Sequence, residues 1–452
     1  MGKHIIANAS VINENRIFIA SVVVDGEFII EIIAEKQLIS DLYIKYPDFS
    51  IINAEGKYLI PGVIDDQVHF REPGLTLKGD IYTESKAAIA GGITSYMDMP
   101  NTNPQTLTQE LLEEKYILAA GKSLSNFSFY MGASNDNLEE ILKTNPENVC
   151  GVKVFMGAST GNMLVDSEET LDSIFSKSKM LIAVHCEDEK IIKENLKNFQ
   201  DKYGEDIPIS THPLIRSREA CYKSSSYAIE LAKKHQTRLH VLHLSTKEEV
   251  ELFDNSIPLS EKNITAEVCV HHLWFTDADY QQKGTLIKWN PAIKERNDRD
   301  ALLNAVIADK LDIIATDHAP HTLSEKQNAY MKAPSGGPLV QHSLNAMLEL
   351  VGDKKISFEK VIEKMCHNPA ILFRVNKRGF IRKGYYADLA IVDPTISWTV
   401  NKGNILYKCG WSPFENQKFN TKVTHTFVNG ELVYENGIFN EEIKGKRLTF
   451  NR

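Results

Sequence analysis

The stretch Asp65-Asp66-Gln67-Val68-His69-Phe70-Arg71-Glu72-Pro73-Gly74 sets an amide, an imidazole and a guanidinium at alternate positions. In an extended segment Gln67, His69 and Arg71 point to one side, so a metal-binding ring and a fork that fits a carboxylate share a face. Further along, His185, His243 and Asp317 each close a short apolar run. A lone histidine at a strand end is more often a packed core or surface group than a ligand. Three histidines and a carboxylate at corresponding strand ends are better explained together. Imidazole and carboxylate donors suit a divalent cation of the Zn²⁺ type with one position open to water.

Lys153 lies inside the apolar segment Gly151-Val152-Lys153-Val154-Phe155-Met156. A lysine there costs several kcal/mol, on the order of a buried unpaired charge, unless it is paired, neutral or modified. Two readings stand: an outward lysine snorkelling past a helix, or a neutral amine that takes up CO₂ as a carbamate and becomes an anionic oxygen ligand. His240 and His243 are an odd number of positions apart, so strand alternation predicts that His243 faces the interior and His240 the other side. His271-His272, Asp98 and Glu267 are candidates for supporting the ligands from behind, with ordinary loop and strand-end roles as the alternative. His4, His212, His235, His342, His367 and His425 have no partner spacing and read as structural.

The elements that must position these groups follow from hydrophobic pattern. Eight short apolar runs, at 58–64, 94–98, 127–131, 152–156, 181–185, 239–243, 264–268 and 312–317, alternate with amphipathic stretches. That pattern favours βαβ units with parallel strands buried on both faces. Eight strands predict a (β/α)8 TIM-like barrel, whose catalytic face is the C-terminal end of the strands, where the polar residues fall. A doubly wound open sheet is the runner-up, weakened because no GxGxxG follows the first run. Residues 1–55 and 385–452 read as short β segments, with Asn429-Gly430 a hairpin signal. The expected organisation is therefore a barrel over 56–384 and a small β-sandwich domain built from 1–55 and 385–452. The small, polar stretch 157–162 is suited to a movable loop.

With 452 residues, 42% hydrophobic and 25% charged, the chain is neither disordered nor fibrous. Its 51 Lys plus Arg against 60 Asp plus Glu leave a net charge of −9, which disfavours nucleic acid and anionic membrane as partners. Six well-separated cysteines, with no signal-like start and no apolar run near the ~20 residues of a membrane span, lead to the expectation of a cytoplasmic protein.

These motifs, with Asp98-Met99-Pro100-Asn101-Thr102, Val184-His185-Cys186-Glu187, Lys288-Trp289-Asn290-Pro291, Thr316-Asp317-His318-Ala319-Pro320-His321 and Ala333-Pro334-Ser335-Gly336, resemble the amidohydrolase superfamily and, within it, the dihydroorotases. The resemblance runs over nearly the whole chain. It implies metal ligands at His69, at Lys153 as its carbamate, and at His185, His243 and Asp317. It implies substrate contacts at Arg71, Asn101, Asn290 and His321, with the backbone near Ser335 and Gly336, and Asp317 as catalytic proton carrier. The implied cofactor is one or two Zn²⁺ per chain. The implied reaction is reversible closure of N-carbamoyl-L-aspartate to L-dihydroorotate and water in pyrimidine (UMP) biosynthesis. Gln67 departs from the pattern, since such enzymes usually carry a histidine there, and an amide oxygen is a poor match for Zn²⁺. Two alternatives remain: a hydantoinase-, dihydropyrimidinase- or allantoinase-like cyclic amidase, and a metal-depleted scaffold or regulatory subunit. A homodimer is expected on base rates.

Overall fold

The computed structural model describes residues 2–157 and 163–452; most of the stretch expected to form a movable loop, 158–162, lies outside the described residues. The chain begins with β1 (Lys3–Asn13), β2 (Arg16–Asp25), β3 (Phe28–Ala34), β4 (Ser50–Asn53) and β5 (Tyr58–Pro61). Strands β1, β2 and β3 form an antiparallel meander, and β4 and β5 both run parallel to β1.

The barrel strands follow: β6 (Val63–Val68), β7 (Ile93–Asp98), β8 (Asn126–Phe129), β9 (Met131–Gly132), β10 (Val152–Phe155), β11 (Ile182–His185), β12 (Leu239–Val241), β13 (Ile264–Cys269) and β14 (Ile313–Ala315). All their pairings are parallel, in the orders β6-β7-β8 and β9-β10-β11-β12-β13-β14. Strands β8 and β9 are two halves of one path interrupted at Tyr130, whose N–H donates back to Asp98 O at 3.1 Å. The last strand meets the first where Val68 bridges His318 and His69 N donates to His318 O at 2.7 Å. Counted so, eight parallel strands form a (β/α)8 barrel with helices between them.

The run read as one strand over 58–64 is two. Tyr58–Pro61 pairs with β1 and β15, and only Val63–Val68 enters the barrel. Gly62 makes the switch, because a Cβ there would lie 2.0 Å from Thr94 Oγ1, and its N–H donates to Asp388 O at 2.8 Å. Only glycine tolerates so close an approach. After the barrel, β15 (Leu389–Asp393) pairs antiparallel with β5, β16 (Trp398–Thr399) and β17 (Lys418–Phe419) form a separate ribbon, and β18 (Lys422–Val428), β19 (Glu431–Glu435) and β20 (Ile438–Phe439) complete a nine-stranded sheet with β1–β5. Val11, Val22, Leu59, Leu389 and Phe427 form the core of this β-sandwich unit, so residues from both chain ends bury one another. Each such side chain contributes roughly 1.5–3 kcal/mol on burial.

Inside the barrel, Ile64, Met97, Tyr130, Ala183, Leu242, Cys269 and Ile313 belong to one apolar cluster with Phe373, Leu448 and Phe450. No helix among the described residues is long and apolar enough to cross a membrane.

Candidate active site

The twelve residues read from the sequence as metal ligands or substrate contacts, Gln67 among them, line one cavity of about 500 Å³ at the C-terminal end of the barrel strands. Gln67, His69 and Arg71 arrive from the end of β6 and the loop after it; Asn101 follows β7; Lys153 lies within β10 and His185 closes β11. His243 and Asp317 lie just past β12 and β14, and Asn290, His321, Ser335 and Gly336 come from the long loops after β13 and β14. Arg71 (φ 69°), His243 (φ 41°) and Asp317 (φ 47°) occupy the left-handed backbone region. For non-glycine residues that conformation costs on the order of 1–3 kcal/mol and redirects the side chain. It places the groups in the cavity after regular alternation has ended.

That redirection overturns the parity argument for the sixth strand. His240 does not face the helices: it is fully buried in the lumen between Asp66 and Glu267, with Phe373 5.8 Å away. His243, turned by its positive φ, faces the cavity on the same side.

The imidazoles are oriented from behind. His69 Nδ1 donates to Asn101 Oδ1 at 2.7 Å, and its Nε2 lies 3.1 Å from Asp317 Oδ1. His185 Nε2 faces Glu187 Oε2 at 2.9 Å, so Nδ1 is turned toward His243 Nε2, 2.9 Å away. Arg216 also binds Glu187. Burial works to raise the Glu187 pKa, but Arg216 and His185 more than offset it and bring the carboxyl down to about 2. Burial lowers the pKa of His185, and of His243 much further, which keeps both rings neutral; with His185 Nε2 donating to Glu187, its Nδ1 accepts from His243 Nε2. A carboxylate behind a histidine is the usual support for a metal-binding ring.

Lys153 is 1% exposed, and its Nζ has no hydrogen-bond partner among the described residues. Burial pushes the amine down to about 7, with Glu267 opposing. The snorkelling reading does not hold, since the lysine lines the cavity instead of a helix-facing surface. Gln67 turns its Nε2 to Asp317 Oδ1 at 3.2 Å, while its Oε1 lies 3.6 Å from Cys269 Sγ. It therefore holds Asp317 through its amide nitrogen, with its oxygen turned toward Cys269. Three histidines, a carboxylate and an unpartnered buried amine are a donor set that fits a divalent cation.

On the opposite wall Arg71 donates from Nε to Pro320 O at 3.0 Å. Lys78 approaches His321 Nδ1 at 3.0 Å, so that nitrogen accepts, and His321 Nε2 donates to Ser335 O at 3.0 Å. Arg71 Nη2 lies 3.1 Å from the same Nε2; two donors meet there, so this arm of the guanidinium finds no acceptor. Arg71 is 7% exposed, and no carboxylate pairs with it among the described residues. Burial lowers its pKa to about 10, opposed by Asp317 and Asp98, which leaves it cationic. Ser335 Oγ donates to Asn290 Oδ1 at 3.0 Å. At Gly336 φ is 121° and a Cβ would lie 2.6 Å from Ala319 O, so only glycine permits this turn.

Asp98 and Glu267 support from behind. Asp98 accepts from Phe70 N at 2.8 Å and pairs with Lys115 at 2.6 Å, fixing the backbone between His69 and Arg71, and Glu267 accepts from His243 N at 3.1 Å. His271 stacks on Trp289, a cavity residue, with ring centroids 4.5 Å apart, and His272 Nε2 donates to Pro291 O at 3.1 Å. The six histidines read as structural lie outside the cavity lining, His212 buttressing it by donating to Trp289 O at 2.7 Å.

Several contributors were given no role from the sequence. Lys78 adds a second cation to the Arg71 wall and pairs with Glu325 at 3.0 Å. Asp65 accepts from Thr316 Oγ1 at 2.6 Å, stapling β6 to the residue before Asp317. Lys326 donates to Pro334 O and Gly336 O at 2.9 and 2.7 Å, holding the Ser335 loop. Asp65 and Lys78 are charged residues beside apolar neighbours, whereas Lys326 lies in a polar segment that carries no such signal.

Comparison with known proteins agrees with this geometry. Residues 58–433 match the amidohydrolase family. A dihydroorotase of Methanosarcina mazei is 32% identical over 448 residues, 97% of each chain, and one of Pyrococcus abyssi is 33% identical over 396 residues, 87% of this chain and 88% of its own. Among solved structures, an L-hydantoinase (dihydropyrimidinase) from Arthrobacter aurescens superposes with a TM-score of 0.88 at 27% identity, covering 97% of each chain. The chain belongs to the amidohydrolase family, on the branch of its dihydroorotase relatives.

Proposed function

We propose that this chain interconverts N-carbamoyl-L-aspartate and L-dihydroorotate, with His69, Lys153, His185, His243 and Asp317 holding a catalytic cation. Arg71 carries the reading, because a buried guanidinium without a carboxylate partner is costly unless an anionic ligand completes it. The ring of dihydroorotate bears such a carboxylate. Arg71 takes it bidentately, and Asn101, whose Oδ1 is engaged by His69, has its amide N–H groups left for one oxygen. Asn290, His321 and the Ser335-Gly336 backbone close the other side.

Enzymes of this family are generally metal-dependent. A bound divalent cation, Zn²⁺ by ligand type, lowers the pKa of a water toward about 7 and polarises the reacting carbonyl. In ring opening, Asp317 takes the proton of the attacking water and passes it to the departing ring nitrogen. In closure it takes a proton from the attacking carbamoyl nitrogen and gives it to the leaving oxygen. Both protein contacts of Asp317 fall on Oδ1, which leaves Oδ2 for the proton. A Lys153 amine near pKa 7 is nucleophilic enough to add CO₂, losing one proton and gaining a carbamate whose anionic oxygens would face a cation in the cavity. The proposed units are the barrel over 56–384 and the sandwich of 1–55 and 385–452, with the strand Tyr58–Pro61 as the sandwich's extension; a cytoplasmic homodimer completes the reading.

The structural likeness to an L-hydantoinase favours a second reading, a cyclic amidase for uncharged rings. Arg71 opposes it, because a neutral ring leaves the buried guanidinium without an anionic partner. The test is steady-state turnover of the metal-loaded protein on dihydroorotate, dihydrouracil, hydantoin and allantoin. Dihydroorotate should lead in kcat/KM by at least about a thousandfold, roughly 4 kcal/mol. Comparable rates on an uncharged ring overturn the proposal. No turnover on any ring together with metal-free protein points to the scaffold.

Gln67 weakens one of two possible metal positions, since its amide nitrogen faces Asp317. Gln67→His should raise bound metal by up to one equivalent per chain in elemental analysis. Unchanged content means that Gln67 does not limit occupancy.

A further inference from the structure

Asp66 on β6, His240 on β12 and Glu267 on β13 meet inside the barrel, below the cavity, and all three are 0% exposed. One donor atom from each lies within 4.8 Å of the others. None of the three lines the cavity, and the reaction above uses none of them.

The hydrogen bonds fix which atom of His240 faces the carboxylates. Thr265 Oγ1 donates to Leu239 O at 3.1 Å, so toward His240 Nδ1, 2.9 Å away, it accepts. Nδ1 therefore carries the ring proton. In the neutral ring Nε2 presents a lone pair midway between Asp66 Oδ2 and Glu267 Oε2, 3.3 Å from each. Among the described residues neither oxygen of Asp66 has a hydrogen-bond partner, although both are buried. Three electron-rich atoms converging in a dry lumen repel one another unless something positive lies between them.

We propose that Asp66, His240 and Glu267 form a closed, structural site for a divalent cation of the Zn²⁺ class, separate from the catalytic centre. The spacing supports this. Charge-assisted hydrogen bonds run about 2.7–2.9 Å, whereas ligands bonded to a tetrahedral ion at about 2.0–2.1 Å stand about 3.3–3.4 Å apart. One proton on Nε2 shared between two carboxylates gives each only a long, bent hydrogen bond, whereas one ion can bond all three donors, with the second Asp66 oxygen as a further ligand. Imidazole among the donors selects a zinc-like ion over Mg²⁺ or Ca²⁺. Glu267 also holds His243 N, and Asp66 precedes Gln67, so an ion here would tie three strands together directly beneath the cavity.

The rival occupant is a proton. Burial lowers the pKa of His240, but Asp66 and Glu267 outweigh it and raise the ring to about 9. Anomalous diffraction from crystals of the full chain, grown after loading with Zn²⁺ alone, separates the two. A zinc peak within bonding distance of Asp66, His240 and Glu267, resolved from any peak at Lys153 and His185, is the expected result. Absence of that peak overturns the proposal in favour of the proton. In elemental analysis, His240→Gln should lose one equivalent of zinc that Lys153→Met retains; equal zinc in His240→Gln and the parent chain also refutes the site. The diffraction result stands even if a variant fails to fold.

Discussion

Asp317→Asn lowers kcat by about three orders of magnitude or more in both directions, while the thermal unfolding midpoint changes little. The side chain keeps its shape, and its amide oxygen still accepts from Gln67 Nε2, where the parent bond is 3.2 Å. What disappears is the ability to take up a proton and release it again. Positioned acid–base groups contribute roughly 10²–10⁴-fold, and loss of the anionic donor toward the cation adds to that. Steady-state kinetics with both substrates is the measurement, checked by metal content so that a lost ion is not mistaken for a lost proton carrier. A variant that keeps its metal and turns over within about tenfold of the parent removes Asp317 from the proton path.

Arg71→Ala reduces kcat/KM for dihydroorotate by about 10²–10³, mainly through KM. A bidentate, buried guanidinium–carboxylate contact is worth about 3–5 kcal/mol when one partner is removed. Among the described residues Arg71 has no carboxylate of its own to release, so the whole loss falls on the ligand. Arg71→Lys should recover only part of it, since an ammonium keeps the charge without the planar fork. The discriminating readout is any slow activity on dihydrouracil, which lacks the carboxylate and should not fall. An unchanged KM for dihydroorotate in Arg71→Ala, or equal losses on both rings, removes Arg71 from carboxylate recognition.

Much of this candidate site is legible in the sequence. The apolar runs end where the polar residues begin, and in a parallel barrel every such end opens on the same face. His69 on β6 and His185 on β11 were therefore bound to approach one another once eight strands were counted. Arg71 was readable for a local reason, its alternation with His69 ahead of a Pro-Gly turn.

Alternation failed where the backbone left the β region. A φ of 41° at His243 lets that residue and His240 face the lumen together, although strand parity sets them on opposite sides. The split of 58–64 into β5 and β6 was equally hidden, because apolar residues continue across Gly62 and only the crowding of Thr94 shows that a glycine is needed there. Local pattern reports which residues stand at strand ends, and that information is carried within each segment. The left-handed turns, the amide of Gln67 rotated onto Asp317, the bare Arg71 guanidinium and the Asp66–His240–Glu267 cluster arise from contacts between segments as many as 250 residues apart. Their energies depend on burial and on which donor finds which acceptor, and those quantities come into being only when the barrel closes.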